Sequence, residues 1–123
     1  HEIDMRSALV WRSKSIASTV THVPASPGIY VLGKSELFEG LELKRTYVYV
    51  GKTLNMRRRL QEHTHLTELH PDLAEYMRRE RGSITVWYTT DVLAESVDAL
   101  ERALIRHLEP RFNRIKYAKG KRQ

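Results

Sequence analysis

The chain of 123 residues has no cysteine, only 4 prolines and 6 glycines, and no long hydrophobic run. Without cysteine it can form no disulfide and can offer no thiolate to zinc. Without about 20 consecutive apolar residues it is not expected to span a membrane, and its first residues lack the charged-then-apolar order of a secretory signal. A hydrophobic fraction of 41% beside 29% charged residues predicts one domain with a modest core.

Acidic residues are the scarcer charged type, with 15 Asp and Glu against 21 Lys and Arg, and the net charge is +6. A basic domain suits a polyanion, and nucleic acid is the leading candidate. The basic runs at residues 57–59 and 114–122 lack an amphipathic helical pattern, which disfavours a membrane surface. Arg57 and Arg58 fit either a solvated helix face or contact with a DNA backbone. The predicted nucleic-acid contacts are Lys52, Arg57, Arg58, Lys116 and Lys119.

The apolar patterns predict a mixed fold. Three strands are expected, roughly at residues 28–32, 46–50 and 83–89, and the long connection between the first two should project into solvent. Three helices are expected, from an N-cap at Asn55 to about His65, from Pro71 to near Gly82, and from about Leu93 to Leu108. Residues 6–20 fit either a short helix or a strand. The order β-β-α-α-β-α predicts an α+β fold, with a small, mainly antiparallel three-stranded sheet flanked by helices.

Glu101 interrupts the apolar side of the last predicted helix. It lies four residues after Val97 and four before Ile105, so its carboxylate should face the sheet or the edge of the sheet. A carboxylate in that position is costly unless it pairs with a cation or binds a metal. An ion pair with an arginine, such as Arg59 or Arg102, and a metal-binding role are both open on these grounds.

Two tyrosines are expected to be neighbours. If the first two strands pair antiparallel, Tyr30 and Tyr49 can lie on one face of the sheet. The alternation also predicts that Tyr47 shares the face of Tyr49, opposite Val48 and Val50. Tyrosine is common in strands for packing reasons, so the pair alone also fits a structural role.

Arg59 and His63 are one helical turn apart and share a helix face, and the guanidinium of Arg59 can hold a phosphate through two hydrogen bonds. The histidines at 63, 65 and 70 diverge too much to predict zinc. The segment Gly51-Lys52-Thr53 lacks the upstream glycine of a nucleotide-binding phosphate loop, because Thr46 stands at that position. We therefore predict neither a zinc site nor nucleotide hydrolysis.

Three segments together resemble the motifs of the GIY-YIG nuclease family, which includes excision-repair incision subunits, homing endonucleases and some restriction enzymes. They are Gly28-Ile29-Tyr30, the stretch from Tyr49-Val50-Gly51 to His63, and residues 100–113. The resemblance covers residues 27–113 and would make residues 1–26 an N-terminal extension and 114–123 a basic tail. It implies a cytoplasmic, divalent-metal-dependent DNA endonuclease that leaves 5′-phosphate and 3′-hydroxyl ends.

The resemblance also implies roles for single residues. Tyr30 would help remove a proton from the attacking water, and Tyr49 would orient that water or the scissile phosphate. Glu101 would be the only protein ligand of one Mg²⁺ or Mn²⁺ ion, which would keep several waters. The other implied site residues are Arg59 for phosphoryl charge, Lys52 at a basic position, His63 for proton transfer and Asn113 for support of the site.

The phenol of Tyr30 needs help to act as a base. A free phenol has a pKa of about 10, so cations such as Arg59, Lys52 and the metal would have to favour the phenolate. During hydrolysis negative charge would develop on the phosphate and on the leaving oxygen. The positive charges of the metal and Arg59 could offset it.

One departure from the family pattern is the 18 residues between the two triplets, which exceed a compact hairpin and leave the substrate class open. A domain this small would need a homodimer or a missing specificity domain to recognise a long target. Two other functional classes fit a small basic domain. One is a catalytically silent nucleic-acid-binding module, which would not need the set of Tyr30, Arg59 and Glu101. The other is an RNA-binding domain, which would show an exposed glycine-aromatic strand motif that this sequence lacks.

Overall fold

A computed structural model describes residues 9–16, 22–64 and 71–113 of the chain. Short 3₁₀ turns lie at Arg81–Ser83 and Ala94–Ser96, and residues 111–113 are helical. The main elements, in chain order, are β1 (Arg12–Ser15), β2 (Gly28–Phe38), β3 (Leu41–Thr53), α1 (Met56–Thr64), α2 (Pro71–Arg79), β4 (Ile84–Thr89) and α3 (Val97–Leu108).

The strands form one antiparallel sheet in the order β1-β4-β2-β3. The predicted α+β class, with an antiparallel sheet and flanking helices, is confirmed. The predicted count of three strands is wrong, because Arg12–Ser15 adds a strand beside β4. This strand reads Arg-Ser-Lys-Ser and is mostly exposed, so it has no apolar alternation by which the sequence could reveal it.

The hairpin of β2 and β3 is longer than predicted. The segment expected to be an irregular connection continues both strands until Phe38 pairs with Leu41 across the turn of Glu39 and Gly40. Both turn residues have positive φ, 53° and 84°, which is the backbone twist that suits a two-residue hairpin turn. We call residues 34–46 the outer half of the hairpin, and the remainder of β2 and β3 its inner half. The outer half projects into solvent, as expected for the connection between the two strands.

Helices cover both faces of the sheet. On one face Tyr30, Leu32 and Tyr49 pack in a core with residues of α1 and α2. On the other face Ile29, Val31 and Val50 pack against the apolar side of α3. The sheet is therefore the middle layer, and β3 lies at its edge.

A bulge in β3 changes which tyrosines share a face. Leu32 pairs with Tyr49 and Gly33 pairs with Tyr47, so Val48 is an extra residue in β3. Tyr47 consequently lies on the α3 face, where its ring centroid is 5.7 Å from that of Trp87. The prediction that Tyr47 and Tyr49 share a face is wrong because a bulge reverses the alternation.

The helix ends follow local sequence signals in part. The side chain of Asn55 accepts a hydrogen bond from the backbone N–H of Arg58 at 3.0 Å, as expected of an N-cap, and α2 begins at Pro71 as predicted. Helix α3 begins at Val97 and not near Leu93, because a 3₁₀ turn precedes it. Within the ranges given above, no helix has the length and hydropathy that are needed to cross a membrane.

Candidate active site

Tyr30 and His63 form a buried pair. Tyr30 lies in β2 and is 1% exposed, and His63 lies in the last turn of α1. The Tyr30 hydroxyl oxygen is 2.8 Å from Nε2 of His63, although the two residues are 33 positions apart in sequence. The packing of α1 against the sheet therefore gives the phenol a direct proton-exchange partner.

Gly51 provides the space in which the ring of Tyr30 lies. The two residues are paired across β2 and β3. A Cβ atom at position 51 would lie 2.4 Å from the Tyr30 hydroxyl oxygen and 2.5 Å from Cζ, far inside contact distance. Position 51 must therefore be glycine, because any larger residue would clash with the side chain of Tyr30.

Tyr49 and Arg59 extend this cluster towards solvent. The ring centroid of Tyr49 is 6.2 Å from that of Tyr30 and 5.8 Å from that of His63, so the two tyrosines share a face as predicted. Arg59 lies one helical turn before His63, and its Nη1 donates to Glu62 at 3.1 Å. This contact holds the guanidinium beside a cavity of about 300 Å³ that Arg58 and Glu62 also line.

Lys52 and Glu101 lie on the opposite face of β3. Lys52 pairs in register with Ile29, a residue that packs under α3. Its ammonium group forms an ion pair with Asp98 and lies 3.9 Å from Oε1 of Glu101. The Glu101 side chain is 14% exposed, so it faces inward as the helical pattern predicts. The hydrogen bond from Lys52 lowers the pKa of Asp98, which keeps that carboxylate charged.

Asn113 closes the edge of the sheet beside the second triplet. Its Oδ1 accepts a hydrogen bond from the Val50 N–H at 2.6 Å, and its Nδ2 donates to the Val50 carbonyl at 2.9 Å. Because β3 is an edge strand, no other strand of the described part of the chain pairs with these two backbone groups on that side. The amide of Asn113 pairs with them as a strand would, and it fixes the segment that carries Tyr49 and Lys52.

The predicted site residues therefore form two groups on either side of residues 49–52. Tyr30, Tyr49 and His63 lie on the α1 face, and Lys52 and Glu101 lie on the α3 face. Residues 49–52, in the edge strand of the sheet, lie between the two groups.

The predicted nucleic-acid contacts have different surroundings. Arg57 donates through Nε to the carbonyl of Val23 at 2.8 Å, so it anchors the segment before β2, a role that its place in a basic run does not reveal. Arg58 is exposed and lies 3.6 Å from Glu62. Lys116 and Lys119 lie outside the described residues.

Sequence reasoning missed two acidic partners. Glu62 contacts Arg58 and Arg59, and the spacing of four and three residues on one helix could have indicated it. Asp98 contacts Lys52 across 46 positions, and no local pattern predicts such a pair.

The donor set near Glu101 fits a hard divalent cation. Carboxylate oxygens are the protein ligands that Mg²⁺ prefers, and Mg²⁺ keeps several waters when a protein offers only one or two carboxylates. Over residues 9–16, 22–64 and 71–113 no cluster of three or more His, Asp or Glu side chains forms a full protein cage. A largely hydrated ion at Glu101 requires that the Lys52 ammonium, 3.9 Å from Oε1 of Glu101, stays paired with Asp98.

Comparisons with known proteins agree on one family. The sequence model of one protein family, the UvrC-like GIY-YIG domain, matches residues 26–114. UvrABC system protein C of Nitrobacter hamburgensis is 31% identical over 103 residues, and that of Bradyrhizobium diazoefficiens is 29% identical over 100 residues. These matches cover 80% and 81% of this chain, but only 13% of each relative's length.

Two solved structures show the same fold. The GIY-YIG N-terminal endonuclease domain of UvrC from Thermotoga maritima, bound to magnesium, superposes with a TM-score of 0.52 at 19% identity, over 80% of this chain and 96% of that domain. A tyrosine-to-phenylalanine mutant of the same domain, bound to the catalytic divalent cation, gives a TM-score of 0.53 at 16% identity, over 80% and 94%.

Proposed function

Because this chain belongs to the UvrC-like GIY-YIG domain family, we propose that it is the catalytic domain of a metal-dependent DNA endonuclease. The observation that carries the proposal is the arrangement at residues 49–52. A buried tyrosine–histidine pair lies on one side of this segment, and an inward carboxylate beside a lysine lies on the other. A module that only bound nucleic acid would need neither feature.

Glu101 is the residue that would hold the cation. The T. maritima domain binds magnesium as its catalytic divalent cation, and the same class of ion is proposed for this chain. When bound, the ion supplies positive charge at the phosphoryl oxygens and at the leaving oxygen. The charged pair of Lys52 and Asp98 beside Glu101 fixes the local geometry, and Lys52 can also contact the substrate phosphate.

Proton removal from the attacking water is assigned to Tyr30 with His63. The hydrogen bond of 2.8 Å lets the imidazole accept the phenolic proton, so that the Tyr30 oxygen can in turn take a proton from water. Imidazole exchanges protons near neutral pH, and the phenolate that remains after this transfer is a stronger base than the phenol, although the transfer itself is uphill without nearby positive charge. Tyr49, the neighbouring phenol, is placed to orient the water or the phosphate.

Arg59 is assigned to the phosphoryl oxygens. Its guanidinium borders an open cavity one helical turn from His63, and a guanidinium can donate two parallel hydrogen bonds to a phosphate. The proposed products of hydrolysis have 5′-phosphate and 3′-hydroxyl ends. Arg58, Lys116 and Lys119 are proposed to contact the DNA backbone, and Asn113 to support the site through Val50.

Target recognition is proposed to lie partly outside this domain. The chain spans only 13% of the length of its UvrC relatives. A further domain or a second copy would extend the contact with DNA, and the catalytic unit would be residues 27–113 with flanking segments at 1–26 and 114–123. An intracellular location is proposed with this function.

The direct test is incubation with supercoiled plasmid in the presence of Mg²⁺ or a chelator. We expect nicked and linear products with Mg²⁺ only, with ends that ligate without prior phosphorylation. Glu101→Gln should abolish cleavage, whereas Glu95→Gln, an exposed position just before α3, should cleave as the parent does. Duplex binding without any cleavage would establish the silent binding module in place of the nuclease.

A further inference from the structure

Glu62 contacts two arginines through its two carboxylate oxygens. Its Oε1 accepts a hydrogen bond from Nη1 of Arg59 at 3.1 Å, and its Oε2 lies 3.6 Å from Nε of Arg58. All three residues line the cavity of about 300 Å³ beside the loop between β3 and α1. The carboxylate of Glu62 is therefore an anion, supplied by the protein itself, that two guanidinium groups share in this cavity.

The contact of Glu62 with Arg59 is better shielded from solvent than the contact with Arg58. The Arg59 side chain is 24% exposed and that of Glu62 is 36% exposed, whereas that of Arg58 is 76% exposed. Salt and water weaken an exposed ion pair more than a partly buried one. The pair of Arg59 and Glu62 is thus the stronger of the two, and a ligand of Arg59 has to replace it.

A phosphodiester has the two features of this carboxylate that matter to an arginine. It carries one negative charge, and it presents two oxygens that can accept hydrogen bonds from a guanidinium group. If Arg59 contacts the phosphoryl oxygens of a substrate, the phosphate competes with Glu62 for the same guanidinium. The two anions would also repel each other at such short range, so the carboxylate has to move aside when a phosphate binds.

We propose that Glu62 is a positioning residue that holds the place of a substrate phosphate beside Arg59, and that a backbone phosphate of DNA displaces it. The proposal rests on the proposed function, in which Arg59 binds the phosphoryl oxygens, and extends it to how the site selects a phosphate. Before substrate binds, Glu62 keeps the guanidinium oriented and its charge balanced. A phosphate that makes few other contacts gains too little to displace the carboxylate, so Glu62 favours DNA that is held at several points.

The test measures binding to a short DNA duplex with chelator present, so that no cleavage occurs. Glu62→Gln removes the negative charge but keeps an oxygen that can accept a hydrogen bond from Arg59, so the guanidinium stays oriented. Because the phosphate then has no carboxylate to displace, we expect this variant to bind the duplex about three- to fivefold more tightly than the parent.

Two comparisons separate this local effect from net charge. Glu95→Gln makes the same change of charge at an exposed position outside the cavity wall. Its affinity should change by less than about twofold, because salt screens a distant charge. The second comparison adds Glu62→Gln to the double variant Arg58→Gln/Arg59→Gln. With no guanidinium group to release, the change at position 62 should then raise the affinity no more than Glu95→Gln does.

Two results would overturn the role of Glu62. One is equal affinity of Glu62→Gln and Glu95→Gln, and the other is a gain that persists when both arginines are replaced, since either means that Glu62 acts through net charge alone. If Glu62→Gln does not fold, Glu62→Asp decides, because it keeps the charge but shortens the side chain by one carbon. We expect Glu62→Asp to bind more tightly than the parent, and parental affinity would reject the inference.

The outcomes also distinguish this inference from the proposed nuclease activity. All of these affinities are measured without Mg²⁺, whereas the nuclease is tested by plasmid cleavage in Mg²⁺. The expected gain in Glu62→Gln, together with no plasmid cleavage by the parent, would support the role of Glu62 and reject the nuclease. Cleavage by the parent without any such gain would reject the role of Glu62 and leave the nuclease standing.

Discussion

The two halves of the β2–β3 hairpin share one backbone design but have opposite surroundings. In the inner half, Tyr30 and Val50 are buried between helices on both faces. In the outer half four large apolar side chains are 63–64% exposed, namely Leu37, Phe38, Leu41 and Leu43. Strand pairing alone therefore does not make a site. The chemistry is found where helices and Asn113 fix the strands from outside the hairpin.

Local contacts in the outer half are of a different kind. Arg45 holds Glu42 through two hydrogen bonds of 2.7 and 2.9 Å, and its guanidinium lies 4.8 Å from the Trp87 ring centroid. These groups are largely accessible to solvent, so the pair adds little to the free energy of folding. The contrast predicts that equivalent changes have large effects in the inner half and small effects in the outer half.

The largest effect is expected for Tyr30→Phe. Loss of the hydroxyl removes the hydrogen bond to His63 and the proposed proton acceptor, so the single-turnover cleavage rate should fall by about 10²- to 10⁴-fold. The fold should survive, because the ring remains. Tyr47→Phe, on the opposite face, is the control and should cleave at the parent's rate. Near-normal turnover of Tyr30→Phe would leave Tyr30 with a packing role only.

Asn113→Ala should be the most destabilising of the single changes at the sheet edge. It leaves the buried N–H and C=O of Val50 without their side-chain partner, and each such loss costs about 1–3 kcal/mol. Urea denaturation should show a loss of about 3 kcal/mol, with faster amide exchange at Val50. Asn55→Ala, which removes a helix cap, should cost only about 1 kcal/mol. Equal losses for the two variants would contradict the proposed support of the edge.

A pair of glycines compares the two halves directly. Gly51→Ala places a methyl group 2.4 Å from the Tyr30 hydroxyl oxygen, so it should cost about 2–3 kcal/mol and displace the phenol from His63. Gly40→Ala, with φ of 84° and open space around it, meets only the left-handed backbone penalty of about 1 kcal/mol. The cleavage rate should fall sharply for the first variant and stay normal for the second. Normal cleavage by Gly51→Ala would mean that the position of Tyr30 is not critical.

The smallest effect is expected at the tip of the hairpin. Phe38→Ser removes a ring that is 63% exposed to solvent. The free energy of unfolding, measured by thermal denaturation, should therefore change by less than about 0.5 kcal/mol. Plasmid cleavage in Mg²⁺ should be unchanged. A large loss of activity in this variant would show that the outer half takes part in catalysis.

The sequence predicts which way single side chains point better than it predicts how the strands pair. Tyr30, Tyr49 and Glu101 could be placed because strand alternation and helical spacing are local rules that each depend on a few neighbours. The bulge at Val48 and the edge strand Arg12–Ser15 could not, because both depend on which strands pair over long sequence distances.

Local sequence patterns also do not predict the length of the hairpin or the hydrogen bonds of Arg57 and Asn113 to the backbone. The outer strands carry charged residues of both signs and have no buried face, so their sequence does not distinguish them from a loop. The contact of Arg57 with Val23 spans 34 positions and that of Asn113 with Val50 spans 63. Such side-chain-to-backbone bonds follow from the assembled fold and have no composition signal of their own.

The central claim is that one divalent cation binds at Glu101, beside the inner half of the hairpin. Paramagnetic broadening by Mn²⁺ in amide NMR spectra tests it without any cleavage. If the cation binds there, the amide signals of Gly51, Lys52 and Glu101 should broaden strongly, that of Gly40 near the far end of the hairpin should broaden little, and Glu101→Ala should abolish the effect. Broadening that is centred on the hairpin tip, or that is unchanged in Glu101→Ala, would contradict it.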